Sequence, residues 1–128
     1  MSNVRLSFGL FFLAFIVCGT LAPVNVLGAA TGLFPTAMHA QKLGHFVGFA
    51  GLACCFSFTS ERHVSWGVML FALGLAVATE LAQHLVKGRV PARLDVAIDM
   101  AGALLGQVIA VRRLRAAQQR KGNLRLRY

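Results

Sequence analysis

Residues 6–27, LSFGLFFLAFIVCGTLAPVNVL, run for twenty-two positions without a charge. A helix rises about 1.5 Å per residue, so this run alone is long enough to cross a hydrocarbon core of about 30 Å. Three more apolar segments follow, at about 43–59, 64–86 and 94–111. Backbone groups surrounded by lipid must find partners within the chain, and a helix supplies them within a single segment. The expectation is therefore all-α: a polytopic membrane helical bundle of four transmembrane helices. Residues 1–111 form its single domain, and 112–128 form a basic tail.

Composition agrees with this class. Only 13% of the residues are charged and the mean hydropathy is +0.67, whereas a soluble domain carries about 25% charged residues. The connections are short, with Gly32 and Pro35 in the first, residues 60–63 as a tight hairpin, and Gly88 and Pro91 in the last. Arg5 before an apolar stretch and the small residues after it would also suit a signal peptide. The run exceeds a usual signal core, so a retained helix is the reading adopted. Cys18, Cys54 and Cys55 all lie within apolar runs at spacings that match no zinc motif, and they read as small helix residues.

The net charge of +9 is segregated. Seven of the thirteen Lys and Arg residues lie after Ala110. With four spans, the N-terminus, the 60–63 hairpin and the C-terminus share one side, which holds nine basic residues; the other side holds four. The positive-inside rule then places both termini in the cytoplasm. The tail carries no aromatic stacking series, so its expected partners are anionic lipid headgroups, with no nucleic acid partner.

Three of the four acidic residues fall within 79–99, TELAQHLVKGRVPARLDVAID. In the expected topology this stretch is the outer end of the third helix, an external loop and the start of the fourth. Glu80, Gln83, His84 and Lys87 share one helical face, and Asp95, Asp99, Gly102 and Gly106 share another. The two glycines form a small-xxx-small surface for a neighbouring helix, so the Asp residues should face protein. Lys42 and His45 open the second helix at the same level. Ionisable groups in a membrane segment are costly and by default mark function. An outward-facing polar pocket follows, with His45 and Glu80 as acid–base residues and Lys42, Gln83, Arg89, Asp95 and Asp99 as binding residues.

The competing account is that these groups pair among themselves and only pin helices together. Glu80 and His84 at i, i+4 resemble half of a zinc-protease helix without its second His, so no metal and no cofactor is assigned. Transport by a unit this small would need a homodimer.

QKLGHFVGFAGLA and ATELAQHLVKGRVPARLDVAIDMAGALLG resemble the VanZ-like family of small bacterial membrane proteins. That family shows D-K-x-x-H-F at the start of one helix, later E-x-x-Q, an Arg after a Gly, and D-x-x-x-N-x-x-G. Lys42, His45 and Phe46 fit the first motif, Glu80 and Gln83 the second, and Arg89, Asp95 and Gly102 the rest. Gln41 stands in place of the usual Asp and Asp99 in place of the usual Asn, which moves acidic character deeper. The resemblance implies envelope biology, with a family link to glycopeptide (teicoplanin) resistance. Envelope lipid or cell-wall precursor headgroups are the expected ligands. Whether the chain is an enzyme or a non-enzymatic scaffold stays open at this level.

Overall fold

The computed structural model describes residues 3–22, 37–57, 64–85 and 93–125, the side chains of 37–40, 93 and 123–125 excepted. All four elements are helices: α1 (Asn3–Leu21), α2 (Ala37–Ser57), α3 (Trp66–Gln83) and α4 (Arg93–Arg125). The expected first span extended to residue 27, and its part from residue 23 lies outside the described residues.

Among the described residues, three helices are long and apolar enough to cross a membrane: Asn3–Leu21, Trp66–Gln83 and Leu94–Gly122. The expected span over 43–59 corresponds to α2, which begins earlier, at Ala37, and is not among these three. Gln41, Lys42 and His45 dilute its apolar character. The fold accounts for this, because α2 packs between α4, its most extensive partner, and α1. A helix lined by neighbours on two sides exposes less surface to its surroundings than α1 does.

Glycines set both α2 interfaces. A Cβ at Gly48 would lie 2.8 Å from Ile16 of α1, and one at Gly51 would run into the Phe12 ring. On the other side, a Cβ at Gly102 or Gly106 of α4 would run into the backbone carbonyl oxygens of Phe46 and Ala50 respectively. The small-xxx-small stripe expected on the fourth helix is thus the surface that meets α2. Partners ascend together along both helices, so α2 and α4 run parallel. Ile16, Phe49, Leu52, Ala53, Ala72, Ala76 and Ala103 fill the core.

The fourth helix does not stop near 111. It continues through Arg125 as one helix of 33 residues, about 50 Å long at 1.5 Å per residue. Hydropathy falls after Val111, but helix propensity does not: Ala116, Ala117, Gln118, Gln119, Arg120 and Lys121 are all strong formers.

Gln107, fully buried on α4, secures the start of α3. Its Nε2 donates to the Ser65 carbonyl at 3.2 Å, and its Oε1 accepts from the Ser65 N–H at 2.6 Å. Ser65 is the N-cap of α3 and makes no side-chain cap of its own. Gln107→Leu is expected to lower stability by about 1–3 kcal/mol, the cost of orphaning such a group. Thermal unfolding in detergent measures it, and an unchanged midpoint would dismiss the clamp.

Candidate functional site

The α4 stripe carries Asp95, Asp99, Gly102 and Gly106 at positions i, i+4, i+7 and i+11, all on the face toward α2. Because the glycines bring the backbones together at Phe46 and Ala50, the turns before them bring Asp99 to His45 and Asp95 to Lys42. Lys42 Nζ lies 3.4 Å from Asp95 Oδ1. His45 Nδ1 lies 3.3 Å from Asp99 Oδ1 and 3.4 Å from Oδ2. Both members of the second pair are almost wholly enclosed, with side chains 7% and 2% exposed.

A third helix joins through Thr20, whose Oγ1 is 3.4 Å from His45 Nε2. The Thr20 hydroxyl donates to the Ile16 carbonyl at 2.8 Å, so its oxygen is left to accept from Nε2–H. Nδ1 must then share one proton with Asp99, either as imidazolium with carboxylate or as neutral imidazole with carboxylic acid. That is the reverse of the polarity in which a hydroxyl nucleophile is activated, where Nε2 takes the hydroxyl proton. Thr20 therefore orients the imidazole and does not serve as a nucleophile.

Each carboxylate also has one oxygen without a donor. Asp99 Oδ1 is near Nδ1 but makes no hydrogen bond, and Asp95 Oδ1 faces Lys42 without one. Gln41, Lys42, His45, Asp95, Ile98 and Asp99 line a shallow surface cleft that leaves no enclosed space for a group the size of a water molecule.

The sequence-predicted site divides accordingly. Lys42, His45, Asp95 and Asp99 come together on α2 and α4. Glu80 is half-buried and Gln83 buried, both on α3, and neither lines this cleft. Arg89 lies outside the described residues. His84 is exposed at the C-cap of α3. Among the described residues, no three of His, Cys, Asp and Glu gather where they could hold a metal ion. Thr20 escaped the sequence reading, and the only signal for it was a lone hydroxyl beside Gly19 near the end of an apolar run.

At the opposite end of the bundle the charges are basic. Arg5 of α1 is near enough to Cys55, and Arg113 of α4 to Cys54, for their fields to be felt. The start of α1, the end of α2 and the charged part of α4 thus share one level, away from the acidic cluster.

No curated protein and no solved structure matches the chain. A family model described as VanZ/LLP1 matches residues 7–115, from the second turn of α1 into the charged part of α4. That span includes every described residue of the polar cluster, and the chain belongs to the VanZ/LLP1 family.

Proposed function

We propose that the chain is a multi-pass protein of the bacterial cytoplasmic membrane that engages the headgroup of an envelope lipid or cell-wall precursor. In this reading all four helices cross, α2 does so within the shelter of α1 and α4, and both termini are cytoplasmic. The nine-to-four distribution of Lys and Arg supports that orientation. The cluster of Lys42, His45, Asp95 and Asp99 then opens toward the outer face. Basic residues of α4 from Arg112 onward meet anionic headgroups on the inner face, where each is worth about 1 kcal/mol.

One observation carries the reading: the ionisable pair His45 and Asp99 is enclosed within the bundle. Such groups in membrane helices are expensive, and bare adhesion between helices is available more cheaply from glycine packing. His45 is the acid–base residue, its proton shared with Asp99. Glu80, Gln83 and Arg89 complete the headgroup contacts from α3 and the loop after it. Membership in a family linked to glycopeptide resistance supports a role in envelope composition.

The test compares cells carrying the wild-type chain, His45→Gln or Glu80→Gln at matched abundance. Lipid headgroups, cell-wall precursors and glycopeptide susceptibility are profiled. Each variant is expected to lose at least about 90% of the wild-type change, which corresponds to about 1.4 kcal/mol. Full retention by His45→Gln would remove the cluster from the function.

A second reading has its own observation. Both polar pairs join the same two helices across a small cleft, as expected of a packing device in a non-enzymatic scaffold. Activity would then follow protein abundance across all variants.

A further inference from the structure

We propose that the face of α4 covered by α2 continues past the end of α2 as a docking site for an acidic helix of a cytoplasmic protein. The inference goes beyond the headgroup reading and rests on it only for the side of the membrane that the end of α4 reaches.

Helical register locates the site. Asp95, Asp99, Gly102 and Gly106 face α2, and Gly106 packs against Ala50. Eighteen residues make five turns of a 3.6-residue helix, so Arg113, Ala117 and Arg120 continue that stripe in line with Asp95, Asp99 and Gly102. The two helices run parallel, so Ser57 and Arg113 share the level two turns beyond Ala50 and Gly106. There α2 ends. The helix α4 runs on to Arg125, and residues 115–122 are all exposed. A face already built for helix packing is thus left open at this end.

The open part is strongly cationic. Seven Lys and Arg residues lie after Ala110, and no acid follows Asp99. Asp95 and Asp99 stand at the other end of α4, and Glu80 is near the end of α3 remote from Ser65. Glu61 is the one remaining acid of the whole chain, so internal pairing leaves most of this charge unmet. Headgroups do not meet all of it either. Arg120 stands about 10 Å beyond Arg113 along the axis, past a Debye length of about 8 Å. Headgroup contact therefore falls to Arg112, Arg113 and Arg115.

The pattern selects a helix as the occupant. Arg113 and Arg120 are two turns apart, with Ala117 between them and Ala116 beside it. Small residues let a second helix come close, as Gly102 and Gly106 do for α2. Carboxylates two turns apart on that helix would meet both guanidiniums in charge-assisted hydrogen bonds. No aromatic residue occurs in 112–125 to stack a base, so a nucleic acid is the poorer fit.

The full chain is placed in phosphatidylcholine nanodiscs and titrated with a labelled helical Ala/Glu peptide, followed by fluorescence anisotropy. The same peptide with two Ala changed to Pro is the unfolded control, and it is expected to bind more weakly. Arg120→Gln and Ala117→Leu are each expected to weaken binding of the helical peptide by about tenfold. Lys121→Gln removes the same charge about 100° round the helix, and Gln118→Leu adds the same bulk on another face. Both are expected to stay within about twofold of wild type. All four positions are exposed, so these variants keep the bundle intact.

Equal loss in Arg120→Gln and Lys121→Gln overturns the proposal, because a diffuse cloud of charge responds that way. Equal affinity for the Pro control overturns it too, as does tighter binding of a single-stranded oligonucleotide of matched charge. Abolition of binding by added phosphatidylglycerol at physiological salt would mean that α4 lies along the headgroups instead. A membrane-impermeant maleimide is expected to label Gln119→Cys above the wild-type background only after cells are permeabilised. Labelling of intact cells would overturn the cytoplasmic orientation and with it the class of partner. The nanodisc titration decides separately whether an acidic helix docks.

Discussion

Gly106→Val is expected to be among the most damaging single substitutions in the bundle, separating α2 from α4. A Cβ at 106 would overlap the Ala50 carbonyl oxygen. That obstacle is backbone within a helix, so no rotamer change relieves it, and one helix must move away from the other. Overpacking of this kind costs about 3 kcal/mol, the upper part of its usual range. The loss extends beyond steric strain, because association of membrane helices rests on close van der Waals packing with no hydrophobic drive between them. Separation also lengthens the His45–Asp99 contacts, already 3.3–3.4 Å, beyond useful range. Unfolding by denaturing detergent should show a midpoint well below wild type while helix content by circular dichroism stays nearly unchanged. Gly74→Ala is the control, since a Cβ there meets nothing within 4 Å. It should be neutral or stabilise by up to about 1 kcal/mol, the intrinsic preference of a helix for Ala over Gly. Equal midpoints for Gly106→Val and Gly74→Ala would refute the close α2–α4 contact.

The legible part of this structure is the part written in periodicity. The spacing of Asp95, Asp99, Gly102 and Gly106 located both the α4 face toward α2 and the acids that continue it. Lys42 and His45 were legible as ionisable residues opening an apolar helix. What escaped has specific causes. The apolar segment was expected from 43 and α2 begins at Ala37, because polar residues end an apolar run without ending a helix. The helix α4 outruns the expected span for the mirror-image reason: residues 112–125 leave the apolar pattern but keep helix propensity. Thr20 and Gln107 act across helices, on His45 and on the Ser65 backbone. A single hydroxyl or amide in an apolar run does not reveal which distant atom it will meet. Glu80 and Gln83 were grouped with the cluster by membrane level and by the family resemblance. Level does not fix the rotation of α3 about its axis, and the cleft is lined from α2 and α4.

A double-mutant cycle on His45 and Asp99 is expected to show a coupling of about 1–2 kcal/mol, at the top of the range for hydrogen-bonded pairs in membrane helices. The two single substitutions should differ. His45→Phe leaves Asp99 enclosed with no donor at either oxygen, and breaking a buried pair from that side costs about 3 kcal/mol or more. Asp99→Leu leaves an imidazole that can shed its charge and keep its bond to Thr20, so the loss is smaller. The double variant removes both polar groups together and should cost less than the sum of the singles, because no orphan remains. Asp99→Asn separates packing from chemistry. Its amide N–H can still donate to Nδ1 of a neutral imidazole that keeps Nε2–H on Thr20, and stability should fall by only about 1 kcal/mol. The amide can neither take nor give the shared proton. If headgroup engagement depends on that proton or on the carboxylate charge, Asp99→Asn folds, accumulates normally and loses the envelope change. If the pair is only a tether between α2 and α4, Asp99→Asn keeps the envelope change in proportion to its abundance, as does His45→Phe. Coupling below about 0.5 kcal/mol, under the average for such pairs, would mean that the 3.3 Å approach carries no shared proton. His45 and Asp99 would then be neighbours through the glycine packing alone, with no joint role.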